Sequence, residues 1–494
     1  MLAATITKVR REEPAIRLFM SDGSERSTYM PQGRAVGLLG APHAGVNLMS
    51  CYYPRQTFWP ERRLFSEEVP HYRWSVTDQT ENTRLTDSND WTDGYYSFDI
   101  EDADNDAVRQ MEDVRRYGQD VRLTLTADLD TPAEDLERIA DVLKQFGRME
   151  LRLNHEANGC SWFRFARNVG QMAGEEARRT YYEISQFFIR VHELFGRLAP
   201  NVTMVGCYNG PGERITKGEI SADALPHLGD DELGLMYKLP GIVVSLDQYG
   251  SLHCGWPGHA VEEAPIIRKF AFHEFGGFAL TPYELCELVI RPFQAAIAKV
   301  RGEPARIDLG ELDFDEDFHG PEIRAQLVFE CYEWLRRHPG IIGSITFYEL
   351  TDMGGLGLFR QRAYGDVEDV TENIVTDVYR RVMAWDEFRH PVEALAPVGE
   401  SAERVELTWR SSCDAEGLEL TLDGAHRAVD FRKSYWRQVV LLGADGEQSY
   451  VYGDEAALEL PAGTQAVRIF APPPEGRDNA AGGFRTQVPV PTIT

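Results

Sequence analysis

Short runs of apolar and β-branched residues alternate with longer amphipathic stretches from Val36 to about Glu349. This is the pattern of βα units, in which each strand of a parallel sheet is followed by a helix that covers it. Eight such runs can be placed, and eight βα units close into a (β/α)8 TIM barrel. The predicted strands are Val36–Leu39 or Val46–Cys51, Tyr95–Ile100, Val121–Ala127, Glu150–Asn154, Val202–Tyr208, Ile242–Asp247, Ala305–Gly310 and Gly343–Tyr348.

The helices between these strands are clearest at four places. In the second of them Ile184, Phe188 and Val191 recur at helical spacing, so one face should be buried against the barrel. In a TIM barrel the chemistry takes place at the C-terminal ends of the strands, and residues that follow the strands are therefore the candidates for a functional site. The predicted helices are Pro132–Phe146, Glu176–Leu198, Pro282–Val300 and Pro321–His338.

The most informative local sequence is the octapeptide Arg152–Gly159, which reads Arg-Leu-Asn-His-Glu-Ala-Asn-Gly at the end of the fourth predicted strand. Its carboxylate, Glu156, would act as a general acid if burial or a second carboxylate raised its pKa towards neutral pH. Trp162 follows and offers a flat face on which a pyranose ring can stack. An acid, several hydrogen-bond donors and a stacking surface at one strand end indicate a glycosidase.

The octapeptide resembles the motif of glycoside hydrolase family 26 and its relatives in the clan of retaining (β/α)8-barrel glycosidases. That family carries Arg-x-x-His-Glu-x-Asn-Gly-x-Trp-Phe at the end of its fourth strand. One more residue precedes the Trp-Phe pair in this chain, so membership of the wider clan is the expectation. The resemblance implies that Glu156 is the acid/base. The matching positions are Arg152, His155, Glu156, Asn158 and Gly159.

A retaining glycosidase needs a carboxylate nucleophile about 5 to 5.5 Å from the acid, whereas an inverting enzyme separates the two by about 6.5 to 9.5 Å. Glu311 ends the seventh predicted strand, where the resembled clan has its nucleophile. Glu274 lies in a Glu-Phe-Gly sequence like the one that the resembled family uses around its nucleophile. Placing Glu274 on the seventh strand would give Gly343–Tyr348 an impossible ninth position, so Glu311 is the predicted nucleophile and Glu274 the alternative.

Further residues near the ends of the predicted strands are expected to bind the substrate. Tyr249 follows the sixth strand and resembles the clan tyrosine that hydrogen-bonds the nucleophile and keeps it ionised. Tyr348 ends the eighth strand, where the clan often has an aromatic platform under the sugar. Their shared location at one mouth of the barrel supports this interpretation. The predicted substrate-binding residues are Arg152, Asn154, His155, Asn158, Trp162, Tyr208, Tyr249, Trp256 and Tyr348.

The charge of the chain narrows the class of partner. The 494 residues carry a formal net charge of −28 at pH 7, which argues against nucleic acid, because phosphate binding requires a basic surface. It also disfavours polyanionic sugars. The expected substrate is a β-linked neutral oligo- or polysaccharide, and neither a metal nor a cofactor is expected.

The seven cysteines are scattered and form no Cys-x-x-Cys pair, which argues against a zinc ribbon and a disulfide framework. No stretch approaches the roughly 18 apolar residues of a membrane span, and Met1–Arg11 has no apolar segment before its basic residues. We expect a cytoplasmic protein, or a secreted one if a signal peptide has been removed. No membrane partner is expected, and the sequence is compatible with a homo-oligomer.

Beyond Pro391 the pattern changes to short alternating runs separated by turns such as Asp423-Gly424, which is typical of antiparallel β-structure. It predicts an all-β, sandwich-like C-terminal domain. Ile6–Tyr29 is predicted to form a hairpin around Ser21-Asp22-Gly23 that could pair with this domain. The predicted domains are therefore a β hairpin at 1–35, the catalytic barrel at 36–390 and the β domain at 391–494.

Two other functions stay open from the sequence alone. A carbohydrate-binding barrel that has lost catalysis would keep an aromatic cleft without turnover. A metal-dependent barrel hydrolase would use histidines, but no two of the candidates show a ligand spacing such as His-x-His or His-Glu-x-x-His. The candidates are His43, His155, His253, His273 and His319. The retaining glycosidase is the leading hypothesis.

Overall fold

The structure is a computed structural model and describes residues 5–22, 29–53, 106–158, 174–210, 234–253, 277–352, 355–362, 366–422, 428–432, 436–443, 446, 448–451, 457–478 and 483–494. The strands up to the end of the barrel are β1 (Thr5–Arg11), β2 (Arg17–Asp22), β3 (Gly45–Tyr53), β4 (Asp120–Ala127), β5 (Met149–Leu153), β6 (Val202–Asn209), β7 (Val243–Asp247), β8 (Ser251–His253), β9 (Gly277–Ala279), β10 (Ile307–Leu312) and β11 (Ile342–Phe347).

Eight of these strands close into a parallel barrel. The order around it follows the chain, from β2 to β7 and then β10 and β11, and β11 pairs with β2 to close the ring. Every residue of β4 and β5 is buried, because helices cover the outer face of a parallel sheet and side chains fill its interior. The TIM barrel predicted from the alternating sequence pattern is confirmed.

The helices are α1 (Gln32–Leu39), α2 (Asp106–Arg116), α3 (Ala133–Leu143), α4 (Gly174–Leu198), α5 (Pro282–Glu284), α6 (Arg291–Arg301), α7 (Glu316–His319), α8 (Pro321–Arg336) and α9 (Ile374–Met383). A π-helical segment, Leu285–Ile290, joins α5 to α6. The four predicted helices are confirmed, and α4 buries Phe188 and Val191 as their spacing indicated. Within the part of the chain that the structure describes, no helix combines the length and the apolar character needed to cross a membrane.

The first two barrel strands differ from the prediction. Val36–Leu39 is the end of helix α1, and Val46–Cys51 belongs to β3, which is the second strand of the barrel and not the first. The predicted strand Tyr95–Ile100 lies outside the described residues. The remaining six predicted strands keep their rank, so β5 is the fourth strand and β10 the seventh.

The first barrel strand is β2, and the predicted N-terminal hairpin is therefore wrong. β1 pairs antiparallel with strands of the C-terminal region, whereas β2 pairs parallel with β3 and β11. The Ser-Asp-Gly sequence had suggested a hairpin turn. Asp22 instead accepts hydrogen bonds from the Met30 backbone N–H (3.1 Å) and from the side chain of Gln32 (2.9 Å), and so ties the end of β2 to the start of α1.

The remaining strands are β12 (Thr351–Asp352), β13 (Phe359–Gln361), β14 (Val370–Thr371), β15 (Val392–Pro397), β16 (Arg404–Ser411), β17 (Asp414–Thr421), β18 (Ala428–Asp430), β19 (Gln438–Gly443), β20 (Gln448–Val451), β21 (Ala457–Glu459), β22 (Thr464–Phe470), β23 (Phe484–Pro489) and β24 (Thr492–Ile493). β15 to β17, β19, β20, β22 and β23 join β1 in one antiparallel sheet, and β18 pairs with β21 and β24 in another. Leu418 and Val467 of the first sheet share an apolar cluster with Val429 of the second. The sandwich-like C-terminal β region is confirmed.

The N-terminal half of the barrel interior holds a buried ionic network. Arg122 is fully buried and donates to Glu150 Oε2 at 2.7 Å and to Asp308 Oδ1 at 2.9 Å. Arg17 donates to the other oxygen of Glu150 at 2.5 Å. Charges this deeply buried are tolerated only when they are paired. The network lies near the strand starts, at the opposite end of β5 from Glu156.

Candidate active site

Glu156 lies in a tight turn that directly follows β5. Asn154 and Glu156 both have left-handed backbone conformations, with φ of 48° and 53°, which are unfavourable for residues with a Cβ. The Asn154 side chain stabilises the turn, because it donates to the Ala127 carbonyl at 2.9 Å and accepts from the Ala127 N–H at 2.8 Å. The Glu156 N–H donates to the Cys207 carbonyl at 3.2 Å. The turn is thus fixed to the neighbouring strands β4 and β6.

The Glu156 carboxyl group is held in its protonated form at neutral pH. The residue is 6% exposed, and burial raises its pKa to about 8, with a further contribution from the negative charge of Glu311. A hydrogen bond from Asn209 Nδ2 to Glu156 Oε1, 2.8 Å long, and the charge of Arg152 oppose this rise. A buried carboxyl group with a pKa in this range can donate a proton near pH 7.

Glu311 lies on β10 in a different environment from that of Glu156. Arg152 Nη2 donates to Glu311 Oε1 at 2.9 Å, and the Tyr249 hydroxyl donates to Oε2 at 2.5 Å. The Nε2 atom of His155 is 3.5 Å from Oε1. Both carboxylate oxygens therefore accept a strong hydrogen bond, and these donors stabilise a negative charge on Glu311.

The protonation of the neighbouring groups supports this arrangement. Burial and the charge of Glu311 raise the pKa of Tyr249 well above 10, so its hydroxyl keeps the proton that it donates. Burial and the nearby charge of Arg152 lower the pKa of His155 well below 6.5, so the imidazole is neutral at pH 7. Among the described side chains of the site, the positive charge comes from Arg152.

Asp247 is a member of the site that the sequence analysis did not assign. It ends β7, is 1% exposed, and forms an ion pair with Arg152 Nη2, the same nitrogen that binds Glu311. Burial raises the pKa of Asp247 well above 3.8 against the opposing charge of Arg152, and the charges of Glu311 and Glu156 add to the rise. The signal was present in the sequence, because alternate strand residues face the same side and Asp247 is two residues before Tyr249.

Gly310 leaves the space that the Asp247 carboxyl group fills. A Cβ atom at this position would come within 2.7 Å of Ser245 Oγ and closer still to Asp247 Oδ1. Contacts this short do not occur between packed atoms. The glycine before Glu311 is therefore what lets Asp247 lie next to the nucleophile candidate.

His155, Asp247 and Glu311 offer ligand atoms that all lie within 4.8 Å of one another. The guanidinium of Arg152 bonds to both carboxylates, however, and so supplies the positive charge that a metal ion would bring. His43 and His319, two histidines of the metal-dependent alternative, bond to the hydroxyls of Tyr379 and Ser251. The described donor set therefore fits an arginine-centred carboxylate cluster and not a metal centre.

Tyr348 and Tyr208, two of the other residues predicted to bind substrate, lie in different surroundings. Tyr348 is half-buried and packs edge-on against Tyr249, with ring centroids 5.5 Å apart. Tyr208 is 2% exposed and packs between Tyr181 of α4 and Tyr237. The prediction of a substrate contact for Tyr208 is wrong, because this side chain faces the helix layer outside the barrel.

Several predicted donors bind protein groups in the structure. Arg152 is fully buried under Glu311, and Asn154 binds the Ala127 peptide. Asn158 binds the backbone of Asn209. These side chains organise the site, and direct contact with a substrate stays a prediction for His155. Three further predicted residues, Trp162, Trp256 and Glu274, lie outside the described residues, and the choice of Glu311 over Glu274 stays a prediction.

Neither a family model nor a curated protein sequence matches this chain. Similar solved structures include a glucosidase from Croceicoccus marinus (11% identity, 95% of this chain and 99% of that chain, TM-score 0.41). A family 39 glycoside hydrolase from Bacteroides cellulosilyticus has 11% identity over 93% of this chain and 81% of that chain, with a TM-score of 0.40. An alpha-L-arabinofuranosidase from Thermotoga maritima has 9% identity over 98% of this chain and 100% of that chain, with a TM-score of 0.41.

Proposed function

We propose that this protein is a retaining glycoside hydrolase, with Glu156 as acid/base and Glu311 as nucleophile. One observation carries the proposal: two neighbouring buried carboxyl groups at strand ends of one barrel have opposite environments. Burial keeps the proton on Glu156, whereas Arg152 and Tyr249 stabilise charge on Glu311. A protonated and an ionised carboxyl group facing one space are what glycoside cleavage requires.

The reaction then proceeds in two steps. Glu156 gives its proton to the glycosidic oxygen as the bond from that oxygen to the anomeric carbon breaks, and Glu311 forms a bond to the anomeric carbon. In the second step Glu156, now ionised, takes a proton from a water molecule that attacks the same carbon. The bond to Glu311 breaks, the sugar leaves with its original anomeric configuration, and Glu156 is protonated again.

After burial, the charge of Glu311 also raises the pKa of Glu156, so the two carboxyl groups interact electrostatically. The retaining mechanism is proposed from the resemblance of Arg152–Gly159 to the retaining clan and from the place of Glu311 on the seventh strand of the barrel. Retaining enzymes keep these carboxyl groups about 5 to 5.5 Å apart, and inverting enzymes about 6.5 to 9.5 Å. The configuration of the product distinguishes the two mechanisms.

The charge of the site supports a neutral sugar as the substrate. Glu156, Asp247 and Glu311 contribute three carboxyl groups, and Arg152 is the cation that binds two of them. An additional carboxylate or sulfate on the substrate would meet unfavourable charge close to its reacting carbon. Together with the net charge of −28, this favours neutral β-linked oligo- or polysaccharides.

The test is a screen of aryl β-glycosides and neutral oligosaccharides, with the anomer of the first product read by NMR. Glu156→Gln and Glu311→Gln should each lower kcat by at least about a hundredfold. Azide should restore turnover of Glu311→Ala as a glycosyl azide of inverted configuration. Glu150→Gln is the matched control, because Glu150 is equally buried on β5 but bonds to Arg17 and Arg122.

The screen tests the retaining mechanism, the two carboxylate assignments and the non-catalytic alternative separately. First products of inverted configuration would exclude the retaining mechanism, and full activity in Glu156→Gln would exclude the acid assignment. Activity that survives Glu311→Gln would point to Glu274 as nucleophile. Sugar binding without turnover at any enzyme concentration, unchanged in the glutamine variants, would favour the non-catalytic carbohydrate-binding barrel.

A further inference from the structure

Asn209 is the last residue of β6 and makes a direct hydrogen bond to the general acid candidate. Its Nδ2 atom donates to Glu156 Oε1 at 2.8 Å. An amide N–H can only donate, so the Oε1 atom acts as the acceptor in this contact. The carboxyl proton of Glu156 is therefore directed to the other oxygen, Oε2.

Asn158 locks Asn209 in place. The Asn158 side chain accepts from the Asn209 backbone N–H at 2.8 Å and donates to the Asn209 carbonyl at 3.3 Å. These two bonds hold the backbone of Asn209 at the end of β6, the position from which its side chain reaches Glu156. Asn158 also lies in the turn that presents Glu156, so its two hydrogen bonds to Asn209 join the turn after β5 to the end of β6.

We propose that Asn209, held by Asn158, is a positioning residue for the acid/base, which fixes its proton on Oε2 and stabilises its ionised form after the proton has left. This inference rests on the proposed function, because it assigns a role within that mechanism. Asn209 and Asn158 take no part in the bond-forming and bond-breaking steps of the proposed reaction. Neither residue forms a bond to the substrate in this scheme.

The hydrogen bond from Asn209 favours the ionised form of Glu156 throughout the reaction. Before proton transfer it works against the raised pKa of Glu156, since a donated N–H favours the charged form. After proton transfer the carboxylate accepts a charge-assisted bond at Oε1, which is stronger than the bond to the neutral acid. Asn209 therefore opposes the effect of burial on the pKa of Glu156.

Other charged groups also reach Glu156 and must be held constant in a test. Glu311 raises its pKa and Arg152 lowers it, and Glu156 in turn raises the pKa of Asp247 and Tyr249. Substituting Asn209 changes none of these charges. A change in the Glu156 titration in such a variant therefore reports on the amide hydrogen bond.

The experiment compares Asn209→Ala and Asn158→Ala with the wild-type protein by two measurements. The first is the titration midpoint of Glu156, followed by NMR of protein labelled with 13C at the glutamate carboxyl carbon and assigned with Glu156→Gln. The second is the pH profile of kcat/KM on an aryl β-glycoside. In Asn209→Ala the midpoint and the basic limb should both move upward by about one pH unit, the size of one lost charge-assisted hydrogen bond. Asn158→Ala should move both in the same direction by less.

The matched control is Asn201→Ala, at the other end of the same strand. The Asn201 side chain also bonds to backbone carbonyls, those of Leu143 (3.3 Å) and Gly147. It contacts no group of the active site among the described residues. This variant should lose stability comparable with that of Asn158→Ala and leave the Glu156 midpoint and the basic limb at their wild-type values.

A midpoint in Asn209→Ala that stays within about 0.2 pH unit of the wild-type value, or moves downward, would overturn the proposal, as would an equal shift in Asn201→Ala. The NMR titration does not depend on turnover. If the wild-type protein cleaves no glycoside but the midpoint moves upward as expected, the proposed function fails and the role of Asn209 in setting the Glu156 proton stands. If turnover is present and the midpoint does not move, only the role of Asn209 fails.

Discussion

Asp247 and Glu311 are register partners on the neighbouring strands β7 and β10, and they share the Nη2 atom of Arg152. One guanidinium thus holds two carboxylates, one of them the nucleophile candidate. Since Arg152 is fully buried, its charge is not screened by water, and its position determines how much of that charge Glu311 receives. Asp247 helps to fix this position through its ion pair with Arg152.

Asp247→Asn should lower kcat by about 10- to 100-fold, because an amide in place of the carboxyl group weakens the contact with Arg152 and so loosens the group that orients the nucleophile. KM should change by less than about threefold, since Asp247 is 1% exposed and lies beneath the reacting carboxylates. The measurement is steady-state kinetics on an aryl β-glycoside. Asp308→Asn is the control, because Asp308 is a buried partner of Arg122 elsewhere in the barrel. Equal losses of kcat in both variants would show a general effect of barrel damage.

Tyr249→Phe removes the donor to Glu311 Oε2 with little change in shape. A hydrogen bond to a charged group contributes about 1.5 to 3 kcal/mol, so kcat should fall by roughly 10- to 100-fold. Tyr208→Phe provides a comparison, since that buried tyrosine faces α4 and should leave kcat unchanged. Wild-type kcat in Tyr249→Phe would contradict a role in holding the nucleophile.

Gly310→Ala should reduce both stability and activity. The added Cβ atom would lie within 2.7 Å of Ser245 Oγ and would displace the Asp247 carboxyl group, and overpacking of this kind costs about 1 to 3 kcal/mol. Thermal unfolding and kcat are the two measurements. Gly340→Ala, where no atom lies within 4 Å of the added Cβ, should show neither change. A stable and fully active Gly310→Ala variant would mean that Asp247 can move without consequence.

The sequence predicted the part of the fold that depends on periodic patterns. Six of the eight barrel strands were placed correctly because their apolar runs are continuous, and clear helices precede four of them, β5, β6, β10 and β11. β2 was missed because it follows directly on β1 and ends in Ser-Asp, which is also a turn signal. Asp22 is used to cap the βα loop instead, and this depends on contacts with Met30 and Gln32 that no local pattern displays.

Site residues that lie at the ends of strands could be predicted from the sequence. Residues whose role depends on the direction of the side chain could not. Glu156, Glu311 and Tyr249 come together as expected because all three are at or near C-terminal ends of barrel strands. Tyr208 was misplaced because adjacent strand residues face opposite sides, and Asn209 points to Glu156 in its place. Asp247 was not assigned, because its ion pair with Arg152 is a tertiary contact; its place two residues before Tyr249 was the available signal that both residues face the same side.

The raised pKa of Glu156 also predicts how stability depends on pH. An unfolded glutamate has a pKa near the ordinary value of 4.5, whereas the folded value is about 8. Between these values the folded state binds the additional proton, so this group favours folding below pH 4.5 and loses that contribution as the pH rises to 8. The slope is at most about 1.4 kcal/mol for each pH unit.

Glu156→Gln keeps the shape of the protonated side chain and cannot ionise, so it should be free of this loss. The free energy of unfolding of Glu156→Gln relative to the wild-type protein should therefore increase from pH 5 to pH 8, by several tenths to about 1.4 kcal/mol for each unit. Urea unfolding at a series of pH values measures the difference directly and requires no substrate. A difference that is constant over this range would mean that Glu156 titrates near its ordinary pKa in the folded protein, and it could then not serve as the acid at neutral pH.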